Sequence, residues 1–66
     1  MIDYDPAEQW NVEGAMQSLR EQGTELTNEN INAWLEEHEG EEHAYGAYEP
    51  VDDEKIEAII ADLNKR

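Results

Sequence analysis

Two histidines, His38 and His43, stand in the run HEGEEH, with Glu37 before it and Glu39, Glu41 and Glu42 inside it. Imidazoles and carboxylates are zinc ligands, and the run invites comparison with the HExxH zinc motif. That motif needs histidines at i and i+4 on one helical face. Here they are five apart with Gly40 between them. The spacing supports no built metal site, and adventitious binding of Ni²⁺ or Zn²⁺ is the most it predicts. His38 is expected to pack at the end of an apolar helical stripe. Asp3, Asp5 and Glu8 have the oxygen character of calcium ligands, but the segment lacks the Gly at the sixth and the Glu at the twelfth position of an EF-hand loop. Neither a metal nor another cofactor is predicted.

Catalysis finds no purchase either. The chain has no cysteine, and its one serine, Ser18, falls inside a helical pattern with no triad around it. Paired carboxylates are the raw material of glycoside hydrolysis, but a chain this short cannot enclose the usual pocket of a few hundred Å³. There is no glycine-rich phosphate loop. The residues point to a protein that is not an enzyme.

The run LREQGTELTNENINAWL, Leu19 to Leu35, has the rhythm of a helix-turn-helix motif. A DNA reader would carry Arg or Lys on the second helix. Here that helix carries Glu29, Glu36 and Glu37 and no cation. The shape is present with its charge inverted, so the run reads as helix packing and not as DNA contact.

The carboxylates themselves are the most informative feature. Eighteen acidic residues stand against four basic ones, a formal net charge of −14. Between Arg20 and Lys55 there is no Lys or Arg, and that stretch carries twelve carboxylates. They are densest at Glu36, Glu37, Glu39, Glu41 and Glu42, with Glu49, Asp52 and Asp53 flanking and Glu25 and Glu29 extending the set. Surfaces that serve solubility alone intersperse both signs, because like charges at i, i+4 destabilise a helix by a few tenths of a kcal/mol. Glu25/Glu29 carries that penalty with no cation nearby, and so does Glu37/Glu41 if the helix extends to it.

Three helices are needed to position these groups. The first is predicted from Pro6 to Gln22: Asp5 is a good N-cap, Pro6 suits the first helical position, and Glu8 favours the positive end. Val12, Ala15, Met16 and Leu19 make its apolar stripe. Trp10 lies off that stripe, either covering the core edge or displayed. Gly14 weakens the middle by about 1 kcal/mol relative to Ala, and Gly23 fits a left-handed stop. The second is predicted from Asn28 to Glu39, capped by Thr27, with Leu26 and Ile31 as a hydrophobic staple and Gly40 as the stop. Ile31, Trp34, Leu35 and His38 share its face. The third is predicted from Asp53 to Lys65, capped by Asp52, with Val51 and Ile56 as a second staple. Its stripe is Ile56, Ile59, Ile60 and Leu63, and Lys65 and Arg66 suit its negative end. Between the last two lies GEEHAYGAYEP, Gly40 to Pro50, too long for a tight turn. Tyr45 and Tyr48 predict that it packs back on the helices, as a short extended segment beside which Met1 to Tyr4 could pair. The expected fold is all-α: one small antiparallel three-helix domain over residues 1–66, with an ordered loop between helices 2 and 3.

A third of the residues are charged and the mean hydropathy is −0.98, a composition close to that of disordered chains. Against this, 38% are hydrophobic and placed periodically, so a folded domain is expected. Below about 70–80 residues a core seldom supplies more than about 3–5 kcal/mol, and self-repulsion reduces it. Marginal stability at low salt, or support from a partner or a second copy, is predicted. The longest apolar run is far short of the roughly 18 residues of a membrane span, and no secretory leader pattern is present. No membrane partner is expected, and with no basic patch direct nucleic-acid binding is not expected either.

A duplex carries two phosphate charges per base pair, so a charge of −14 equals roughly seven base pairs. A chain of this length has a radius of gyration of about 11 Å, comparable in size to that stretch. A groove built for phosphates cannot easily distinguish the two. In size, acidity and lack of cysteine the whole chain resembles the small phage-encoded inhibitors of bacterial defence, among them anti-CRISPR proteins and DNA-mimic antirestriction proteins. No diagnostic motif carries the resemblance, since these inhibitors share none. It implies a stoichiometric, non-catalytic inhibitor in the cytoplasm of a bacterial host cell. Such an inhibitor would occupy the basic nucleic-acid-binding channel of a host complex. Two other readings fit the composition: a halophilic protein whose charge holds hydration in high salt, and a three-helix adaptor that docks a partner through Trp10, Tyr45 or Tyr48.

Overall fold

The computed structural model describes residues 3–65. Among them are three helices, α1 (Pro6–Gln22), α2 (Asn28–Glu37) and α3 (Asp53–Asn64), and two short strands, β1 (Glu42–His43) and β2 (Gly46–Ala47). The strands form an antiparallel hairpin between α2 and α3, with His43 opposite Gly46. The loop between the last two helices is therefore a small sheet within a mostly helical domain, and the all-α expectation is corrected to that extent. Asp3 and Tyr4 are not in a strand; Met1 and Ile2, the rest of the anticipated pairing segment, lie outside the described residues, as does Arg66. Among the described residues no helix is long and apolar enough to cross a membrane.

Helix α1 starts where Asp5 accepts the backbone N–H of Glu8 at 2.9 Å and the Glu8 carboxylate accepts the N–H of Asp5 at 3.1 Å. This reciprocal capping box satisfies two donors that a helix start leaves open. Glu8 also takes Lys55 Nζ at 2.8 Å, tying α1 to α3, and that hydrogen bond holds the Lys55 ammonium above its ordinary pKa. Gly23 ends α1 at φ +74°, a conformation strained for residues with a Cβ. Thr27 caps α2 through Asn30 N–H at 3.0 Å, as expected.

Two helix ends differ from expectation. Helix α2 stops at Glu37, because the chain beyond it is recruited into the hairpin: Gly40 N–H donates to Tyr48 O and Tyr48 N–H to Glu41 O, both at 2.9 Å. Glu37 and Glu41 are thus not an i, i+4 pair on one helix. Helix α3 stops at Asn64, with Lys65 as its C-cap, and Asp52 makes no side-chain capping bond. The start of α3 is held instead by Asn32 of α2, whose Oδ1 accepts Val51 N–H at 3.0 Å.

The core is Val12, Ala15 and Leu19 from α1, Ile31 and Leu35 from α2, Val51, and Ile56 and Ile59 from α3. Tyr4, Met16, Leu26, Trp34, Tyr48, Ile60 and Leu63 pack around it, partly buried. All three predicted stripes contribute, and the residues expected as staples belong to the same cluster: Ile31, Val51 and Ile56 are buried and Leu26 packs against the core in part. Burial of such side chains stabilises by about 1.5–3 kcal/mol each, which is what holds the domain against its own charge.

Candidate functional site

All ten carboxylates singled out from the sequence are exposed: Glu25, Glu29, Glu36, Glu37, Glu39, Glu41, Glu42, Glu49, Asp52 and Asp53. Among the described residues none of them forms an ion pair with Lys or Arg. Glu41 meets His38 Nδ1 at 2.8 Å, and Asp53 accepts Asn32 Nδ2 at 3.4 Å. The set is distributed over the loop before α2, α2 itself, the hairpin segment and the start of α3. Glu36 and Glu37 end α2, and Glu39, Glu41 and Glu42 follow in the turn and in β1. Glu29 lies two helical turns before them, about 10 Å along the axis. Glu49 borders a separate hollow with Asp5, Glu8 and Lys55.

The structure also assembles something the sequence did not reveal, a chain of six rings. Tyr45 tilts against Trp10 (centroids 5.3 Å apart) and Trp10 stacks on His43 (5.7 Å). His43 meets Tyr48 edge-on (4.8 Å), Tyr48 meets Trp34 edge-on (5.1 Å), and Trp34 stacks on His38 (4.1 Å). These offset and edge-to-face geometries are the favoured ones for aromatic pairs. The chain joins α1, α2 and the hairpin. His38 does pack at the end of the α2 stripe, as expected, with the Trp34 indole as its partner.

His43 is fixed by three hydrogen bonds in series. Buried Asn11 donates from Nδ2 to Ala47 O at 3.3 Å and accepts His43 Nε2–H on Oδ1 at 2.6 Å. The backbone N–H of Tyr45 donates to His43 Nδ1 at 3.1 Å. With the Tyr45 N–H donating to Nδ1, the hydrogen-bond pattern assigns the ring proton to Nε2, and both nitrogens are engaged within the protein. Asn11 was not anticipated; its signal is a polar residue one position before the stripe residue Val12.

At one end of this series of rings two neighbours reach solvent, Trp10 at 40% and Tyr45 at 57% exposed. Trp10, Trp34 and Tyr48 line a groove of about 370 Å³ that runs over Gly14, with Glu13 and Glu21 also lining it. Tyr48, one of the aromatics considered for display, is therefore partly buried in a wall, while Trp10 and Tyr45 are displayed. The arrangement holds rings and carboxylates side by side, chemistry suited to binding cations. Comparison with protein families, with curated proteins and with solved structures finds no match to this chain.

Proposed function

We propose that the protein is a non-catalytic binding protein whose acidic surface occupies a basic nucleic-acid-binding groove and competes there with DNA or RNA. The observation that carries this reading is the exposure of all ten carboxylates without a Lys or Arg partner among the described residues. The dimensions support it. The longest extent is 28 Å and the radius of gyration 10.9 Å. At about 3.4 Å per base pair, 28 Å of duplex is roughly eight base pairs and sixteen phosphates, against a net charge of −14. Attraction at this charge steers encounter over long range and fades as salt rises. In this proposal the protein is an inhibitor of the anti-CRISPR or antirestriction kind, acting in the cytoplasm of a bacterial host. Its helices run antiparallel, as the short connection between α1 and α2 favours.

The test begins with a low-salt pull-down from bacterial lysate, eluted by a salt gradient, to isolate the basic target. A variant carrying Glu36→Lys, Glu37→Lys, Glu41→Lys and Glu42→Lys is then compared with the parent in competition with labelled DNA or RNA. Single exposed charges contribute roughly 0–1 kcal/mol, but four reversals replace attraction with repulsion and abolish competition. A helical variant that competes as strongly as the parent refutes the reading. The exposure of Trp10 and Tyr45 favours a second one, an adaptor that docks through apolar contact. Its binding is nearly independent of salt and is lost in Trp10→Ala.

A further inference from the structure

We propose that the groove between α1, α2 and the hairpin is a receptor for an arginine side chain projecting from a basic partner protein. This reaches beyond the charge-mimic reading, because it assigns a specific pocket outside the ten carboxylates considered above and holds whether or not the partner handles nucleic acid. The groove has about 370 Å³ of space, and its walls are two indoles and a phenol, Trp10, Trp34 and Tyr48. Its carboxylates are Glu13 and Glu21, and among the described residues no cation lines it. A second hollow, of about 230 Å³, opens beside Trp10 and again includes Glu13, so the Trp10 indole borders open space in two places. Arg20 lines a further hollow with Glu13 but forms no ion pair with it; Glu13 instead accepts Gln9 Nε2 at 3.0 Å.

A ring face attracts a cation through its quadrupole, most strongly on Trp. Charge complementarity then selects the occupant: an apolar side chain would leave the charges of Glu13 and Glu21 unmatched by a cation, and an anion would be repelled by them. Between the two cationic side chains, arginine fits better. Its guanidinium is planar, stacks on aromatic faces, is weakly hydrated and presents a fork of donors to carboxylates. The lysine ammonium is a compact, strongly hydrated point charge. The ring chain pre-forms the walls. Trp10 is braced by His43 and Tyr45, Trp34 by His38, and Tyr48 by both Trp34 and His43. Little side-chain freedom remains to be lost when the groove is filled.

The test uses the full chain, isotope-labelled, titrated with the blocked tripeptide Gly-Arg-Gly and with its lysine and citrulline counterparts. The readout is the indole N–H resonances of Trp10 and Trp34. Saturable shifts of both are expected with the arginine peptide, several-fold weaker binding with lysine, and no binding with citrulline, which keeps the shape and removes the charge. The double variant Glu13→Gln, Glu21→Gln, whose substitutions lie at the groove and outside the core, is expected to weaken the arginine peptide about threefold to tenfold. Trp10→Ala is expected to abolish the Trp34 shift. No saturable shift with arginine overturns the proposal. Equal binding of citrulline overturns it in favour of apolar docking, and equal binding of lysine in favour of undirected charge attraction. The four-lysine variant of the Glu36–Glu42 segment keeps the arginine shifts if the groove is independent of the acidic face, so the two proposals fail separately.

Discussion

The Tyr48 hydroxyl lies 3.1 Å from the point where a Cβ on Gly14 would stand, and Tyr48 Cε1 lies 3.2 Å from it. A glycine inside a 17-residue helix is thereby explained. It costs about 1 kcal/mol in helix propensity, and it lets a tyrosine from the hairpin lie against the α1 backbone. That contact joins the hairpin to α1 and forms one wall of the groove.

Gly14→Ala therefore sets two effects against each other. Alanine gains up to about 1 kcal/mol as a helix former, while its methyl requires Tyr48 to move by a few tenths of an ångström. Tyr48 has little room to yield. Its ring is braced by Trp34 and His43, and its backbone is bonded to Gly40 and Glu41. Overpacking costs about 1–3 kcal/mol, so Gly14→Ala is expected to lower stability by about 1 kcal/mol in urea denaturation. Tyr48→Phe, which removes the nearest atom, is expected to recover part of the loss in the double variant. A higher urea midpoint for Gly14→Ala would show the Tyr48 contact to be slack.

The Asn11–His43 pair gives a second expectation. Asn11→Ala leaves the His43 Nε2–H and the Ala47 carbonyl without their partner, and an unsatisfied buried group costs about 1–3 kcal/mol. The loss is expected to be strongly non-additive with His43→Ala, since the two residues share one network. Nitrogen shifts of the imidazole are expected to report the Nε2–H tautomer. Because both His43 nitrogens are engaged, calorimetry with Zn²⁺ is expected to show no stoichiometric binding. A tight one-to-one complex lost in His38→Ala and in His43→Ala would overturn that assignment.

Ile59 and Ile60 separate core from edge. Ile59 is fully buried, and Ile60 packs against the core only in part. Ile59→Ala is expected to cost about 2–4 kcal/mol, enough to unfold a domain of this size. Ile60→Ala is expected to cost about half as much and to leave a folded protein with a lower melting temperature. Equal losses would mean that α3 is rotated from the orientation described.

The helices were legible because their signals are local. Asp5-Pro6 and Thr27 mark starts, Gly23 marks a stop, and the stripes at Val12/Leu19, Ile31/Leu35 and Ile56/Ile59 repeat at the helical period. The capping box was also within reach, since Glu8 stands three positions after Asp5. The end of α2 was not legible, because it is set by pairing of Gly40 and Glu41 with Tyr48, contacts eight and seven positions away. For the same reason the ring chain escaped notice. His43, Tyr45 and Tyr48 read as loop residues, Trp10 as an off-stripe residue and Gly14 as a defect. Only the tertiary fold brings them together. Exposure of the carboxylates followed from their charge alone, but the division of Glu36–Glu42 between α2 and the hairpin depended on where α2 ends.

Salt is expected to act on stability and on binding in opposite directions. Self-repulsion among carboxylates is screened over a Debye length of about 8 Å at physiological ionic strength. The domain is therefore expected to be helical by circular dichroism at ~150 mM salt and to melt higher as salt is raised. Capture by a basic groove depends on the same unscreened field, so affinity is expected to fall steeply over the same range. The two curves must be measured on one preparation, because a loss of binding at high salt counts as electrostatic only where the fold is shown to have grown more stable. A chain that stays coil at ~150 mM and folds only in molar salt would instead support the halophilic reading of its charge. A folded chain whose binding ignores salt would support docking through Trp10 and Tyr45.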